Sequence, residues 1–203
     1  MHKTLVGSIL LGLALVLAPA AGWAKIYGNA RFGYFIEIPA AFSVADPEPE
    51  NGDGQAFHTV DKSADLIVYG AWINADNFAA EVADNKAFEA QDGWKLTYES
   101  TVSKSSAAYS AQKGDRVSYA HMITSCGGKA HADYRLEYPA ADKAKYDGMI
   151  KTLNASHKAG KGSLAKTPPP PALSRLSGTD VLFAPSPSPD RPFQSAVHLR
   201  CGP

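Results

Sequence analysis

The sequence lacks the short motifs that mark several large enzyme classes. It has no Gly-x-Ser-x-Gly nucleophile elbow, no His-Glu-x-x-His zinc helix and no glycine-rich phosphate-binding loop. Acidic residues are plentiful, but none forms a pair whose spacing separates a general acid and base from surface charge. The sequence therefore predicts no catalytic residue, no cofactor and no metal ligand, and it favours a protein that is not an enzyme.

The chain also lacks net charge, because 20 Lys and Arg balance 20 Asp and Glu. Overall electrostatics therefore imply neither nucleic acid nor an anionic membrane surface as a partner. Residues 25–156 are slightly acidic, whereas residues 157–203 carry six basic side chains against two acidic ones. With 203 residues, 45% of them hydrophobic, the chain has material for one core of about 100–150 residues. We expect one domain over 25–156.

The first 24 residues have the features of a signal peptide. Lys3 supplies the positive charge, and the apolar run over 5–17 is too short to cross about 30 Å of hydrocarbon as a helix. Small residues precede a cut after Ala24, and no lipobox cysteine is present. An uncleaved anchor is the alternative, although no apolar run continues beyond Ala24. We expect a soluble, periplasmic or secreted protein with no membrane span after cleavage.

Cysteine is scarce, with Cys126 and Cys201 alone in the chain. In an oxidising compartment two such residues favour a disulfide over a metal pair or a nucleophile. The bond would close a loop of about 75 residues, which the chain-entropy model values at about 4 kcal/mol.

Periodicity predicts an α+β protein. Phe32, Tyr34, Ile36 and Ile38 lie on one side of a period-2 pattern, which is typical of a strand with one apolar face. The other predicted elements are a hairpin of 55–60 and 65–72, a helix over 77–90, strands at 94–98, 107–112, 116–125 and 129–138, and a helix over 141–153. The apolar run 66–69 predicts a strand covered on both faces. This order indicates an antiparallel sheet flanked by helices.

The tail over 157–203 differs in character, since it holds nine of the 14 prolines and no sustained periodicity. We expect it to be mostly disordered. A polyproline surface presented to a partner is the alternative.

Several segments together resemble small exported bacterial proteins of the PsbP-like fold. They are Asn29-Ala-Arg-Phe-Gly-Tyr34 with Ile38-Pro39, Asn51-Gly-Asp-Gly54, Tyr69-Gly70, and Leu136-Glu-Tyr-Pro139 followed by Tyr146-Asp147 and a short helix. The fold of that group is an antiparallel sheet flanked by helices, shared by photosystem II extrinsic subunits, a Ran-GTPase-binding import factor and periplasmic proteins. The resemblance covers roughly residues 26–156 and implies a binding or accessory module rather than any particular site residue.

The acidic turn over 46–54, DPEPENGDG, offers oxygen ligands that could suit Ca²⁺. The candidate ligands are Asp46, Glu48, Glu50 and Asp53. The spacing does not fit an EF-hand, because Asn51 stands where a glycine is needed and Phe57 where a bidentate glutamate belongs. A solvated surface turn is the favoured interpretation.

His121, Cys126 and His131 invite a metal or thiol-enzyme hypothesis. A two-residue turn at Gly127-Gly128 would pair residues whose numbers sum to 255 and would put His121 on the apolar face, away from the other two. All three therefore cannot hold one ion, and a nucleophilic Cys126 activated by His131 is the remaining enzyme hypothesis.

Four aromatic residues could line a ligand groove, although core positions are commoner for such strand residues: Tyr69, Trp72, Trp94 and Tyr98. The favoured function is an exported, non-enzymatic binding or accessory module of the cell envelope, acting on another envelope protein or a small ligand. The alternatives are a hydrolase or thiol-dependent enzyme near Cys126 and His131, and a carrier of a small ligand or Ca²⁺ at the acidic turn.

Overall fold

The computed structural model describes residues 24–160 and Cys201. The predicted signal peptide before Ala24 and the predicted tail beyond Gly160, apart from Cys201, lie outside the described residues. Within them the strands are β1 Lys25–Asn29, β2 Tyr34–Ile38, β3 Val44–Ala45, β4 Gly54–His58, β5 Asp65–Trp72, β6 Lys95–Glu99, β7 Ser106–Lys113, β8 Arg116–Ser125, β9 Ala130–Pro139 and β10 Lys158–Ala159. The helices are α1 Phe78–Gln91 and α2 Lys143–Ser156.

The strands form two antiparallel sheets. The small sheet has the order β1-β2-β10, and the large sheet has the order β3-β4-β5-β9-β8-β7-β6. The predicted α+β class, with an antiparallel sheet flanked by helices, is confirmed. No helix in residues 24–160 is long and apolar enough to cross a membrane.

The main core lies between the large sheet, the small sheet and α2, on what we call the closed face of the large sheet. Its buried residues include Tyr34, Ile36, Leu66, Val68, Tyr134, Leu136, Tyr146 and Leu153. The alternation predicted for β2 is confirmed, since Phe32, Tyr34, Ile36 and Ile38 are all buried. The predicted face of the second helix is also confirmed, because Tyr146 stacks on Tyr138 with ring centroids 4.5 Å apart.

Helix α1 covers part of the opposite face of the large sheet, which we call the α1 face. The side chain of Asn77 caps the helix by accepting a hydrogen bond from the Ala80 amide at 3.1 Å. Phe78 and Val82 are the buried helix residues, and they pack on a second cluster with Ala107, Tyr109, Ala120 and Met122. The helix is anchored by its first half, and the rest stands over a polar part of the sheet.

Two expectations about strands need correction. Ile67 is 38% exposed, so β5 is not covered on both faces. The reason is that α1 buries its apolar residues over β7 and β8 and leaves this part of β5 open. Strand β1 was not predicted, although Tyr27 within it packs edge-on against Phe57 at 5.7 Å between ring centroids.

The hairpin of β8 and β9 has the predicted register, with His121 opposite Tyr134 and Met122 opposite Asp133. Its connection is longer than predicted, because the last paired residues are Ser125 and Ala130 rather than Cys126 and Lys129. Cys126 adopts a φ of 50° in the turn and leaves the ladder. Ordered structure also continues past Ser156, the predicted end of the domain. Lys158 of β10 pairs with Phe35 in the small sheet, and His157 is buried.

Candidate functional site

A cleft separates the second half of α1 from strands β5–β9 on the α1 face. We call it the α1 cleft, and its volume is about 640 Å³. Tyr69, Trp94 and Tyr109 provide its aromatic walls, and Phe88 stands at its rim with 68% of its surface exposed. A cavity of this size, with aromatic walls and a few polar groups, is typical of a small-ligand site.

A row of ion pairs runs across neighbouring strands, and all of its members except Asp65 line the cleft. Arg135 Nε donates to Glu89 Oε1 at 3.2 Å, and its Nη1 donates to Glu137 Oε2 at 2.8 Å. Arg116 Nε donates to the other oxygen of Glu137 at 3.0 Å, and its Nη2 lies 3.7 Å from Asp65. We call these five residues the charge ladder. Because they come from β5, β8, β9 and α1, they also hold the helix over the sheet.

Glu89 and Arg135 meet further partners in the cleft. Glu89 accepts hydrogen bonds from the Tyr109 hydroxyl at 3.3 Å and from the Ser118 hydroxyl at 3.1 Å. The Arg135 guanidinium lies 4.7 Å from the ring centroid of Trp94, in cation–π geometry. Burial lowers the pKa of Arg135, but hydrogen bonds and charges from Glu137 and Glu89 raise it overall. Arg135 is therefore a fixed cation surrounded by carboxylates.

A buried histidine–aspartate pair lies beside the cleft, and Asp133 is the member that lines it. His131 and Asp133 are each only 2% exposed, and His131 Nδ1 lies 3.0 Å from Asp133 Oδ1. His131 Nε2 faces Glu81 of α1 at 3.5 Å. Glu81 in turn accepts hydrogen bonds from the backbone amides of Asn74 and Ala75. The triad of Glu81, His131 and Asp133 thus links the start of α1 to the middle of β9.

The protonation of this triad follows from burial and charge. Burial lowers the pKa of His131, but the hydrogen bond and charge of Asp133, together with the charge of Glu81, raise it overall. Burial raises the pKa of Asp133, and its bond to His131 only partly offsets that effect. A carboxylate faces each ring nitrogen of His131, which favours the doubly protonated ring.

One oxygen of Asp133 is left over. Oδ1 contacts His131, while Oδ2 is buried without a hydrogen-bond partner, and Asp133 lines the cleft. Burial raises the pKa of the Tyr69 hydroxyl, and the charge of Asp133 and a hydrogen bond with its carboxylate raise it further. Burial and the Glu89 charge raise the pKa of the Tyr109 hydroxyl. Tyr69 is therefore close to the Asp133 carboxylate, and Oδ2 is left without a hydrogen bond of good geometry in a negative field.

The closed face holds a different histidine pair. His121 and His157 approach with their Nδ1 atoms 3.0 Å apart, next to the rings of Tyr34 and Tyr134. Burial lowers the pKa of His121 to about 4, and burial with the neighbouring His121 lowers that of His157 to about 3. These two side chains are neutral core residues, as the sequence indicated for His121.

The acidic turn does not gather its candidate ligands. Asp46 Oδ2 contacts His58 Nε2 at 3.0 Å, and Asp53 pairs with Arg31 at 2.7 Å. Glu48 and Glu50 are exposed. Among residues 24–160 and 201, no three His, Cys, Asp or Glu side chains group as metal ligands.

The structure brings the two cysteines together. Cys126 Sγ and Cys201 Sγ lie at disulfide distance, 2.10 Å apart, beside Gly33. Cys126 packs against the closed-face core, whereas His131 is buried on the α1 face. Because the sulfur is bonded and the histidine lies across the sheet, this structure does not form the proposed thiol-enzyme site.

Sequence reasoning found part of the α1 cleft. Of the four aromatic candidates, Tyr69 and Trp94 line it, while Trp72 packs on Phe32 in the core and Tyr98 is exposed. It missed Glu89 and the ionic partners on β9. The available signal was four polar residues at every second position of a buried strand: His131, Asp133, Arg135 and Glu137.

Solved structures resemble this fold. The cyanobacterial PsbP protein CyanoP from Synechocystis sp. PCC 6803 matches over 73% of this chain and 98% of its own, with a TM-score of 0.52 and 14% identity. The fold is PsbP-like. The Ran-binding protein Mog1p of Saccharomyces cerevisiae matches over 67% of this chain and 95% of its own, with a TM-score of 0.50 and 9% identity. No protein-family model and no curated sequence matches the chain. At these identities the likeness shows the fold alone.

Proposed function

We propose that this protein is an exported, non-enzymatic binding module of the cell envelope, periplasmic or secreted, and that the α1 cleft is its binding site. The observation that carries the proposal is the cleft of about 640 Å³ lined by Asp133, whose Oδ2 atom is unpartnered. Native proteins rarely leave a buried carboxylate oxygen without a partner, and a bound ligand is one physical reason for doing so.

The compartment is supported by cysteine chemistry and by the N-terminal sequence. A bond between Cys126 and Cys201 persists in an oxidising environment and is rare in the cytosol. The charged start, short apolar run and small residues over 1–24 are the pattern of an exported protein. Export would place the cleft in the periplasm or outside the cell.

Binding is favoured over catalysis by the state of the polar groups in the cleft. Glu89 and Glu137 are each held by arginine, and Asp133 is held by His131. Groups that are fixed in mutual ion pairs suit recognition better than proton transfer, which needs an acid or base within reach of the substrate. In addition, the yeast protein with this fold is a Ran-binding protein, so the fold serves binding elsewhere.

The proposal is tested by filling the cleft. Ala120 lines it from β8, so Ala120→Phe would occupy the space that a ligand needs. Ala83→Phe adds the same ring at an exposed position of α1 and serves as the control. The mature wild-type protein and both variants would be incubated with the small-molecule fraction and, separately, the proteins of a cell-envelope extract.

Native mass spectrometry then reports the bound species. We expect the wild type and Ala83→Phe to retain the same added mass and Ala120→Phe to lose it. Retention of that mass by Ala120→Phe would place the binding site elsewhere. Absence of any added mass in all three proteins, with both fractions, would contradict a binding function for the cleft.

A further inference from the structure

We propose that the α1 cleft takes a ligand with an ammonium group, and that this group binds Asp133 Oδ2. The inference rests on the proposed binding function and names the chemistry of the ligand. The cationic group would come from a small organic amine.

The first argument is the geometry of Asp133. Its side chain is buried, its Oδ1 atom is occupied by His131, and its Oδ2 atom has no partner. The residue lines the cleft, and a ligand that enters there would reach Oδ2, which is itself buried, once the side chains over it move aside. An N⁺–H donor forms a charge-assisted hydrogen bond with a carboxylate, about twice as strong as a bond between neutral groups.

The second argument is the charge around that oxygen. Five carboxylates belong to the charge ladder and the triad: Asp65, Glu81, Glu89, Asp133 and Glu137. Four groups that are cationic when protonated oppose them: Arg116, His131, Arg135 and, on Asp65, His58. Asp92 and Lys113 also line the cleft and carry opposite charges. The cleft therefore keeps an excess of negative charge even with His131 protonated, and a cation restores the balance.

The third argument is the aromatic lining. The ring of Trp94 already holds a cation, since the Arg135 guanidinium lies over it. Tyr69 and Tyr109 line the cleft with their hydroxyl groups in the field of Asp133 and Glu89. Phe88 offers a further exposed ring at the mouth. Aromatic rings beside carboxylates form the usual setting for ammonium recognition.

An anionic ligand fits less well. Glu89 and Glu137 occupy Arg135, while Glu137 and the Ser63 carbonyl occupy Arg116. An incoming anion would have to displace one of these carboxylates and would meet Asp133 in the cleft. A cation needs no such rearrangement.

The experiment compares two probes of the same length, putrescine and 1,4-butanediol, which differ in carrying ammonium or hydroxyl groups. Each is titrated into the ¹⁵N-labelled mature protein while backbone amide shifts are recorded by NMR. We expect putrescine to shift amides of α1, β8 and β9 around the cleft, and butanediol to bind at least tenfold more weakly. Asp133→Asn should weaken putrescine binding by about tenfold or more, the loss expected for a hydrogen bond to a charged group.

Two variants keep the test decisive. Asp147→Asn removes a carboxylate on the exposed surface of α2 and should leave putrescine binding unchanged. If Asp133→Asn does not fold, Ala120→Phe takes its place, and it should abolish the putrescine shifts. Equal binding of the two probes, shifts away from the cleft, or binding that survives in both cleft variants would overturn the inference.

Failure of the ammonium-ligand proposal and failure of the proposed binding function give different experimental results. If an added mass is lost only from Ala120→Phe while putrescine causes no shifts, the cleft is a binding site for another chemistry. If neither experiment finds a ligand, both proposals fall.

Discussion

Strands β8 and β9 bury histidines on both faces of the large sheet, and the two faces treat them in opposite ways. On the closed face, His121 lies against His157 among tyrosine rings, and burial lowers the pKa of both side chains. On the α1 face, Asp133 and Glu81 raise the pKa of the buried His131. Burial alone therefore does not set the charge of a histidine, because the nearest carboxylate decides it.

The same contrast separates stability from binding. The closed face is filled by apolar and aromatic side chains from two sheets and a helix. The α1 face has a small apolar cluster under the first half of the helix and a charged cleft beside it. Charged groups contribute little net stability when buried, so their concentration on one face fits recognition better than folding.

The largest loss of stability should come from breaking the buried pair of His131 and Asp133. Asp133→Ala leaves His131 without its carboxylate partner, and we expect a loss of about 3–5 kcal/mol in the free energy of unfolding. Urea denaturation followed by circular dichroism measures this loss.

A double variant provides the control. In His131→Leu/Asp133→Leu both polar partners are replaced by apolar side chains, and much of the lost stability should return. The matched single variants are His131→Leu and Asp133→Leu. If the double variant lost as much stability as these two single variants added together, the pair would be acting as two independent core residues.

The next largest effect is a loss of folding stability at acidic pH. His121 and His157 have folded-state pKa values below the unfolded value of about 6.5, so the unfolded chain takes up their protons first as the pH falls. Their contribution to stability is present above pH 6.5 and is lost as the pH falls to about 4 for His121 and to about 3 for His157. Each unit of pKa depression corresponds to about 1.4 kcal/mol.

Urea melts at several pH values measure this dependence. His121→Phe removes one of the two titrating groups and should flatten the fall. A slope that is unchanged in His121→Phe would mean that other groups, on either face, cause the acid sensitivity.

A matched pair of substitutions tests whether the α1 cleft has room for an added side chain. Ala132 is fully buried on the closed face, and Ala120 lines the cleft on the α1 face. Ala132→Phe should cost about 1–3 kcal/mol or more by overpacking, whereas Ala120→Phe, although it also replaces a buried residue of the cluster under α1, should cost less because its ring can enter the cleft. Thermal melts of the two variants measure the difference, and equal losses would show that the α1 face is packed as tightly as the other.

A smaller effect is expected within the charge ladder. Glu89→Gln removes one of the two carboxylates on Arg135, and Glu137 keeps the other ion pair, so we expect a loss of about 1 kcal/mol. Lys143→Ala breaks an exposed pair with Asp147 on α2 and should cost at most about 0.5 kcal/mol. If the exposed pair proved the more important one in urea melts, the ladder would not hold α1 to the sheet.

Much of the closed face could be predicted from the sequence, although β1 and β10 of the small sheet were missed. The alternation of apolar residues predicts β2. The rule that paired residue numbers sum to 255 predicts the register of β8 and β9. Helix α2 was recognised from the spacing of its buried residues, within a few positions of its observed ends. These features succeed because apolar side chains must be buried wherever they occur, and their period shows the element.

The α1 face was harder to predict. Glu89 is one of several acidic residues on α1, and nothing in its local sequence shows that Arg135, 46 positions later, will be its partner. A cleft is space between secondary-structure elements. Its shape depends on how α1 packs over β7–β9, and the spacing of residues along the sequence does not predict those contacts. The alternating polar residues of β9 showed only that this face would differ from the other.

The most direct test of the account is the ¹⁵N spectrum of the histidine rings at neutral pH, recorded before and after addition of putrescine. We predict that His131 is doubly protonated and that its signals shift on addition, while His121 and His157 are neutral and do not move. A neutral His131, or a response confined to His121 and His157, would contradict a charged binding site on the α1 face.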